Sequence, residues 1–141
     1  MDLTDIKTIK ALLHSNSLFA KKSFGQNFLI NKSVLQTIVE AANINQNDYI
    51  IEVGPGLGVL TLELAKSAKK VLSIELDANF ITILKNYLPE NVEIIHQDAL
   101  KYSPPQTNYK VVANIPYNIT SHLINHFLQN KNKPTSITLL I

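Results

Sequence analysis

Residues 49–58 read Tyr-Ile-Ile-Glu-Val-Gly-Pro-Gly-Leu-Gly, and this stretch decides the fold. Ile50, Ile51 and Val53 form a short apolar, β-branched run, the pattern of a buried strand. Gly54, Gly56 and Gly58 follow at every second position, and a helix-like stretch begins at Leu60. A strand that breaks into a glycine turn and then a helix brings bare backbone close to a ligand. Glycine permits positive φ and leaves no Cβ in the way. The spacing Glu-x-Gly-x-Gly-x-Gly departs from the Gly-x-Gly-x-x-Gly of dinucleotide sites. Pro55 stiffens the turn. Glu52 adds a carboxylate where a pyrophosphate would be repelled, so a cationic ligand without phosphate suits the strand end better. From the glycines alone, a tight turn with no ligand reads the same way.

The rest of the chain repeats this strand-then-helix rhythm. Thr4 and Asp5 are placed to cap a helix with Ile6, Ile9, Leu12 and Leu13 at helical spacing. Residues 17–32 have no clean period and carry Lys21, Lys22, Phe24, Phe28 and Gly25-Gln26-Asn27. They read as a loop pinned by its Phe residues, or as a basic and aromatic contact to nucleic acid. Ser33 predicts the cap of a helix through Ala42. Strand one is Tyr49–Val53, followed by a helix over Leu57–Lys66. Strand two is Val71–Glu75, and Asp77 predicts the cap of a helix through Tyr87. Strand three is Val92–His96 and strand four Lys110–Ala113. A helix over Asn118–Leu128, with Ile119, Leu123, Ile124 and Phe127 inward, leads to strand five at Ser136–Ile141. Alternating strands and helices predict an α/β fold with a doubly wound, mostly parallel sheet. The chain stops inside an apolar strand, so it reads as a fragment whose sheet is incomplete.

Composition bounds the possibilities. The chain has 141 residues, 45% hydrophobic and 17% charged, as in an ordinary globular domain. It has no cysteine, which excludes disulfides and zinc–thiolate sites. No apolar run approaches a membrane span. The N-terminus lacks the basic and apolar blocks of a signal peptide, which predicts a cytoplasmic protein. A net charge of +2 permits an RNA partner without arguing for one. All basic residues are Lys, so any phosphate contact is a point charge rather than a bidentate fork. His122 and His126 stand at i, i+4, but no third metal ligand is evident, and no metal is expected.

In doubly wound sheets, ligands bind outside the carboxyl ends of the strands. Gly54 and Gly56 follow strand one. Glu75 ends strand two, about 20 residues past the first glycine, where an acid grips ribose hydroxyls. Asp98 follows strand three and can accept from an adenine amine, cap the turn after it, or do both. After strand four comes Asn114-Ile115-Pro116-Tyr117. This resembles the Asn-φ-Pro-Tyr motif of enzymes that methylate planar amino or amide nitrogens, and the resemblance implies a target such as an adenine amine, whose lone pair is delocalised into the ring. The Asn114 side-chain oxygen and the Ile115 carbonyl, freed from the sheet by Pro116, can both accept from that amine. Two acceptors favour tetrahedral nitrogen and restore its lone pair, with the strongest effect in the transition state. Tyr117 can stack on the base. No strong base is required, because methyl transfer leaves the nitrogen positively charged and its proton acidic.

These motifs carry a resemblance. The glycine stretch resembles motif I of class I methyltransferases, which bind S-adenosylmethionine (SAM), and Asn114–Tyr117 resembles the Asn-φ-Pro-Tyr motif of enzymes that methylate planar nitrogens. Together with Lys22-Ser23-Phe24-Gly25-Gln26-Asn27-Phe28-Leu29, Ile74-Glu75-Leu76-Asp77 and Gln97-Asp98-Ala99, they resemble the KsgA-type ribosomal RNA adenine dimethyltransferases. The resemblance runs from about Lys21 to the end. It divides the chain into an N-terminal helix and linker, 1–20, and an incomplete SAM-binding domain, 21–141. It implies SAM contacts at Asn27, Leu29, Gly54, Glu75, Asp98 and Asn114, and closure of residues 17–32 over the cofactor. It implies dimethylation of two adjacent adenosines in the 3′-terminal hairpin of small-subunit ribosomal RNA, with S-adenosylhomocysteine as product. It further implies a helical RNA-holding domain beyond this chain, a monomeric full-length protein, and a fragment inactive on its own. Ala113 stands where many relatives have Gly.

Two other readings share these residues. An Erm-type methyltransferase would modify large-subunit RNA with the same motifs. A non-catalytic RNA-binding assembly factor could keep the fold, although an intact Asn114 and Tyr117 argue against it.

Overall fold

The computed structural model describes residues 2–15 and 31–141. The expectations at Asn27 and Leu29, and closure by 17–32, fall largely or wholly on residues outside that range. Among the described residues, five strands form one sheet: β1 (Tyr49–Val53), β2 (Lys70–Glu75), β3 (Val92–His96), β4 (Lys110–Asn114) and β5 (Ser136–Leu140). Their order is β3-β2-β1-β4-β5, and every pairing is parallel. Strand order therefore reverses between β1 and β4, which opens a crevice at their carboxyl ends.

Alternation along each strand divides the core. Ile51, Val53, Leu72, Ile74, Val111 and Ala113 face Leu123 and Phe127 of helix α5 (Thr120–Gln129). Ile50, Val71 and Val112 face helices α2 (Lys32–Ala42) and α3 (Val59–Ser67), through Leu35, Ile38, Leu60 and Leu64. Helices on both faces account for the near-continuous apolar runs in the strands. Helix α4 (Ala78–Leu84) follows β2, and helix α1 (Ile6–Ser15) packs on it, with Ile9 and Leu13 against Phe80 and Ile83.

Several local expectations are corrected. Asn31 caps α2, not Ser33: its side chain accepts from the Ser33 and Val34 backbone N–H groups. Helix α4 stops at Leu84 rather than Tyr87, and the chain turns there so that Tyr87 can reach the glycine loop. The last predicted helix begins as a 3₁₀ turn, Tyr117–Ile119, before α5 proper. Ile119 is partly exposed rather than inward, because the 3₁₀ turn rotates it out of the α5 stripe. Asp5 caps α1 through Lys7 N–H at 3.4 Å and the Thr8 hydroxyl at 3.0 Å. Asp77 caps α4 as its position after β2 predicts, accepting from Asn79 N–H at 2.9 Å.

Candidate functional site

The crevice at the strand-order reversal holds a cavity of about 290 Å³. Val53, Gly54 and Gly56 come from the end of β1, and Ile74, Glu75 and Leu76 from the end of β2. Gln97, Asp98, Ala99 and Leu100 follow β3, and Asn114, Ile115 and Pro116 close β4. Phe80 of α4 completes the wall, with Ile119 and Leu123. Residues from four separate strand ends meet here because the parallel sheet aligns all its carboxyl ends on one side.

The glycine loop is positioned by backbone geometry that side chains oppose. Gly54, Gly56 and Gly58 have φ of +70°, +56° and +91°. Gly54 N–H donates to the Ile74 carbonyl at 2.9 Å, which ties the loop to β2. Gly54 lines the cavity, and a Cβ on it would meet nothing within 4 Å.

Glu75 is nearly buried and spans the loop. Its Oε1 accepts from Gly56 N–H at 3.1 Å and its Oε2 from Asp77 N–H at 2.9 Å. Burial pushes its carboxyl above the usual range, and the backbone N–H bonds oppose that shift. Asp98 lines the cavity and also accepts from Leu100 N–H at 3.0 Å, capping a short 3₁₀ turn, Ala99–Lys101. Both of its predicted roles are thus geometrically compatible. Asn114 lines the cavity, and among the described residues its side-chain amide has no hydrogen-bond partner. The same holds for the Ile115 carbonyl, while Ile115 N–H donates to the Leu140 carbonyl at 3.4 Å. Tyr117 is 83% exposed on the 3₁₀ turn after Pro116, beside the cavity rather than in its wall.

Glu52 does not face the cavity. Strand alternation turns it to the α3 side, where it is 1% exposed. Its Oε1 accepts from the Thr61 hydroxyl at 2.5 Å and the Ser73 hydroxyl at 2.7 Å. Desolvation raises its pKa to about 7, against the pull of those two bonds. The acidic character expected of Glu52 at the ligand belongs instead to Glu75 and Asp98. No Lys lines the cavity among the described residues, so the wall offers acceptors and negative charge. Those acceptors fit a ligand rich in N–H and O–H donors and carrying positive charge, such as SAM, better than a phosphate.

Sequence reading missed Gln97, Leu76, Leu100 and Phe80 as cavity residues. Apolar side chains beside a motif carry no signal of their own in the sequence, and the exposure of Leu76, 67%, is visible only in the fold. His126 Nε2 donates to the Tyr102 carbonyl at 2.7 Å, so this imidazole is engaged in packing the α5 face.

A parallel sheet of this order, with a glycine loop after β1 and an acid ending β2, is the class I SAM-dependent methyltransferase fold, and solved methyltransferases share it. The structure of the 23S rRNA methyltransferase ErmE superposes with a TM-score of 0.74 at 32% identity, over 82% of this chain and 48% of that one. A dimethyladenosine transferase from Plasmodium falciparum superposes with a TM-score of 0.68 at 34% identity, over 77% and 41%. The family described as ribosomal RNA adenine dimethylase matches residues 18–141, and the chain belongs to it. The ribosomal RNA small subunit methyltransferase A of Alkaliphilus oremlandii is 41% identical over 96% of this chain and 50% of its own length. The chain spans about half the length of the curated relatives it matches. No described helix is long and apolar enough to cross a membrane.

Proposed function

We propose that the protein dimethylates the exocyclic amines of two adjacent adenosines in the 3′-terminal hairpin of small-subunit ribosomal RNA. The observation that carries this reading is that Asn114 and Ile115 line the same cavity as Glu75 and Asp98, with the Asn114 side-chain amide and the Ile115 carbonyl both unpartnered among the described residues. Family membership and the names of the curated relatives support the RNA substrate and the small subunit.

The residues divide the work. Gly54 and Gly56 bring backbone up to the cofactor, and Glu75 accepts from its ribose hydroxyls. Asp98 accepts from its adenine amine. Asn27 and Leu29 belong to the same cofactor set by resemblance. Bound SAM supplies an electrophilic methyl group on its sulfonium and leaves as S-adenosylhomocysteine. Asn114 and the Ile115 carbonyl accept from the target amine, Pro116 keeps that carbonyl out of the ladder, and exposed Tyr117 stacks on the extruded base. The amine's proton leaves to solvent after transfer. Residues 21–141 form the SAM-binding domain in this proposal, preceded by the helix and linker of 1–20. A cytoplasmic location, a monomeric full-length protein and a reaction without metal belong to the same reading.

The test is transfer of labelled methyl groups from SAM to isolated small and large subunits, followed by nucleoside analysis. Dimethyladenosine in the small-subunit hairpin is the expected result. Label in large-subunit RNA would replace the proposal with the Erm-type reading. SAM binding without transfer by the full-length protein would leave the assembly-factor reading.

A further inference from the structure

Helix α1 lies outside the residues matched by the family, yet it packs against the back of the glycine loop. Ile9 and Leu13 are buried, Leu13 at 1% exposure, in one cluster with Leu57, Phe80 and Ile83. Leu57 stands inside the turn, between Gly56 and Gly58. Phe80 joins this cluster and also lines the cavity. Two more interactions hold the loop from the same side. The Tyr87 hydroxyl donates to the Leu57 carbonyl at 2.5 Å. A Cβ on Gly58 would come within 2.6 Å of Leu84 Cδ2, so α4 lies hard against that glycine. From the cavity side, the only anchor among the described side chains is Glu75 on Gly56 N–H.

A turn with three glycines at positive φ has many alternatives when nothing holds it. Ordering it on binding would subtract from affinity, and a scaffold that orders it beforehand removes that cost. We infer that α1 is a positioning element of the cofactor site. Its Ile9–Leu13 face, acting through Leu57 and Phe80, holds residues 54–58 in the conformation that receives the ligand. The inference rests on the cofactor reading above, and it adds to that site a segment the family match does not include.

The experiment measures S-adenosylhomocysteine affinity by calorimetry, at a temperature where circular dichroism reports every variant folded. Leu13→Ala is compared with Ile38→Ala, which removes similar buried volume where α2 packs on the sheet, away from the loop. Leu13→Ala should weaken binding about tenfold, the scale of freeing one or two backbone residues. Ile38→Ala should lower melting temperature but leave affinity within about twofold of the parent. Tyr87→Phe keeps the ring and removes only the bond to Leu57, so it probes the same support if Leu13→Ala fails to fold. It should weaken binding by about threefold to tenfold. Parental affinity in Tyr87→Phe and in any folded Leu13→Ala, or equal losses in Leu13→Ala and Ile38→Ala, would overturn the inference alone. A parent that binds no S-adenosylhomocysteine would overturn the cofactor reading and this inference together.

Discussion

Asn114 ends β4 as a ladder residue, paired in register with Leu140, and lines the cavity with its amide unpartnered among the described residues. An acceptor held by a sheet costs no reorganisation when the amine turns tetrahedral. Asn114→Ala in the full-length enzyme should therefore slow single-turnover transfer by roughly 10²–10³ at saturating SAM and subunit. A parental rate at saturation would remove Asn114 from amine activation. Tyr117 should behave differently, because the proposed reaction asks its exposed ring only to stack on the base. Tyr117→Phe should keep most activity, and Tyr117→Ala should lose about 1–3 kcal/mol of base binding. Equal and severe losses in both would show that the hydroxyl matters instead. Glu52 acts on stability rather than chemistry. Its carboxyl is raised in the fold from 4.5 to about 7, so the native state holds more protons than the unfolded state between those values. Stability should fall as pH rises through that window and level off above it. Glu52→Gln keeps an acceptor for Thr61 and Ser73 and carries no charge. Thermal melts across the window should be flatter for Glu52→Gln than for the parent, and an unchanged slope would refute the assignment.

The glycine loop separates two demands on one element. Gly54 and Gly58 both sit at positive φ, so an alanine at either costs about 1–2 kcal/mol in backbone strain. They differ in space. A Cβ at Gly58 meets buried Leu84 at 2.6 Å, whereas one at Gly54, which lines the cavity, meets nothing within 4 Å. Gly58→Ala should lose clearly more stability in urea than Gly54→Ala. Gly54→Ala should lose more cofactor affinity than its stability change accounts for. Reversal of that order would mean that the two faces of the loop have been exchanged. At the amino ends of the strands, by contrast, Lys110 bridges Asp48 at 2.9 Å and the Asn43 carbonyl at 2.7 Å, fastening the end of α2 to β4. Function and fastening thus occupy opposite ends of the same strands.

At the scale of the whole sheet, the described residues leave two strands without an outer neighbour, β3 and β5. The residues of β5 are mostly apolar yet only half-buried, and no described strand pairs with its outer side. An unpaired apolar edge is a template for another chain. The chain should associate as its concentration rises, seen as growing mass in light scattering. Ile141→Lys adds a charge beside that edge, at a position 76% exposed, where the native side chain packs against little of the fold. It should reduce association without moving the melting temperature. Association that Ile141→Lys leaves unchanged would point to another surface.

The strand–glycine–helix pattern of residues 49–67, with its repeats down the chain, determined a parallel α/β sheet. It did so because the central strands β1, β2 and β4 are largely apolar on both faces, and helices on both sides bury such strands. Glu75, Asp98 and Asn114 were legible as residues of the cavity wall for a related reason: polar residues at the carboxyl ends of parallel strands gather at the crevice where strand order reverses. What tertiary structure decided is which acid faces which side. Glu52 and Glu75 both lie near the carboxyl ends of neighbouring strands, yet Glu52 is locked between Thr61 and Ser73 while Glu75 spans the loop. Alternation separates them only once the core faces are known, and those faces depend on which helices pack where. Likewise, nothing in residues 6–15 announces that α1 supports the glycine loop. Leu13 and Leu57 stand far apart in the sequence, and only the packed fold brings them together in one apolar cluster.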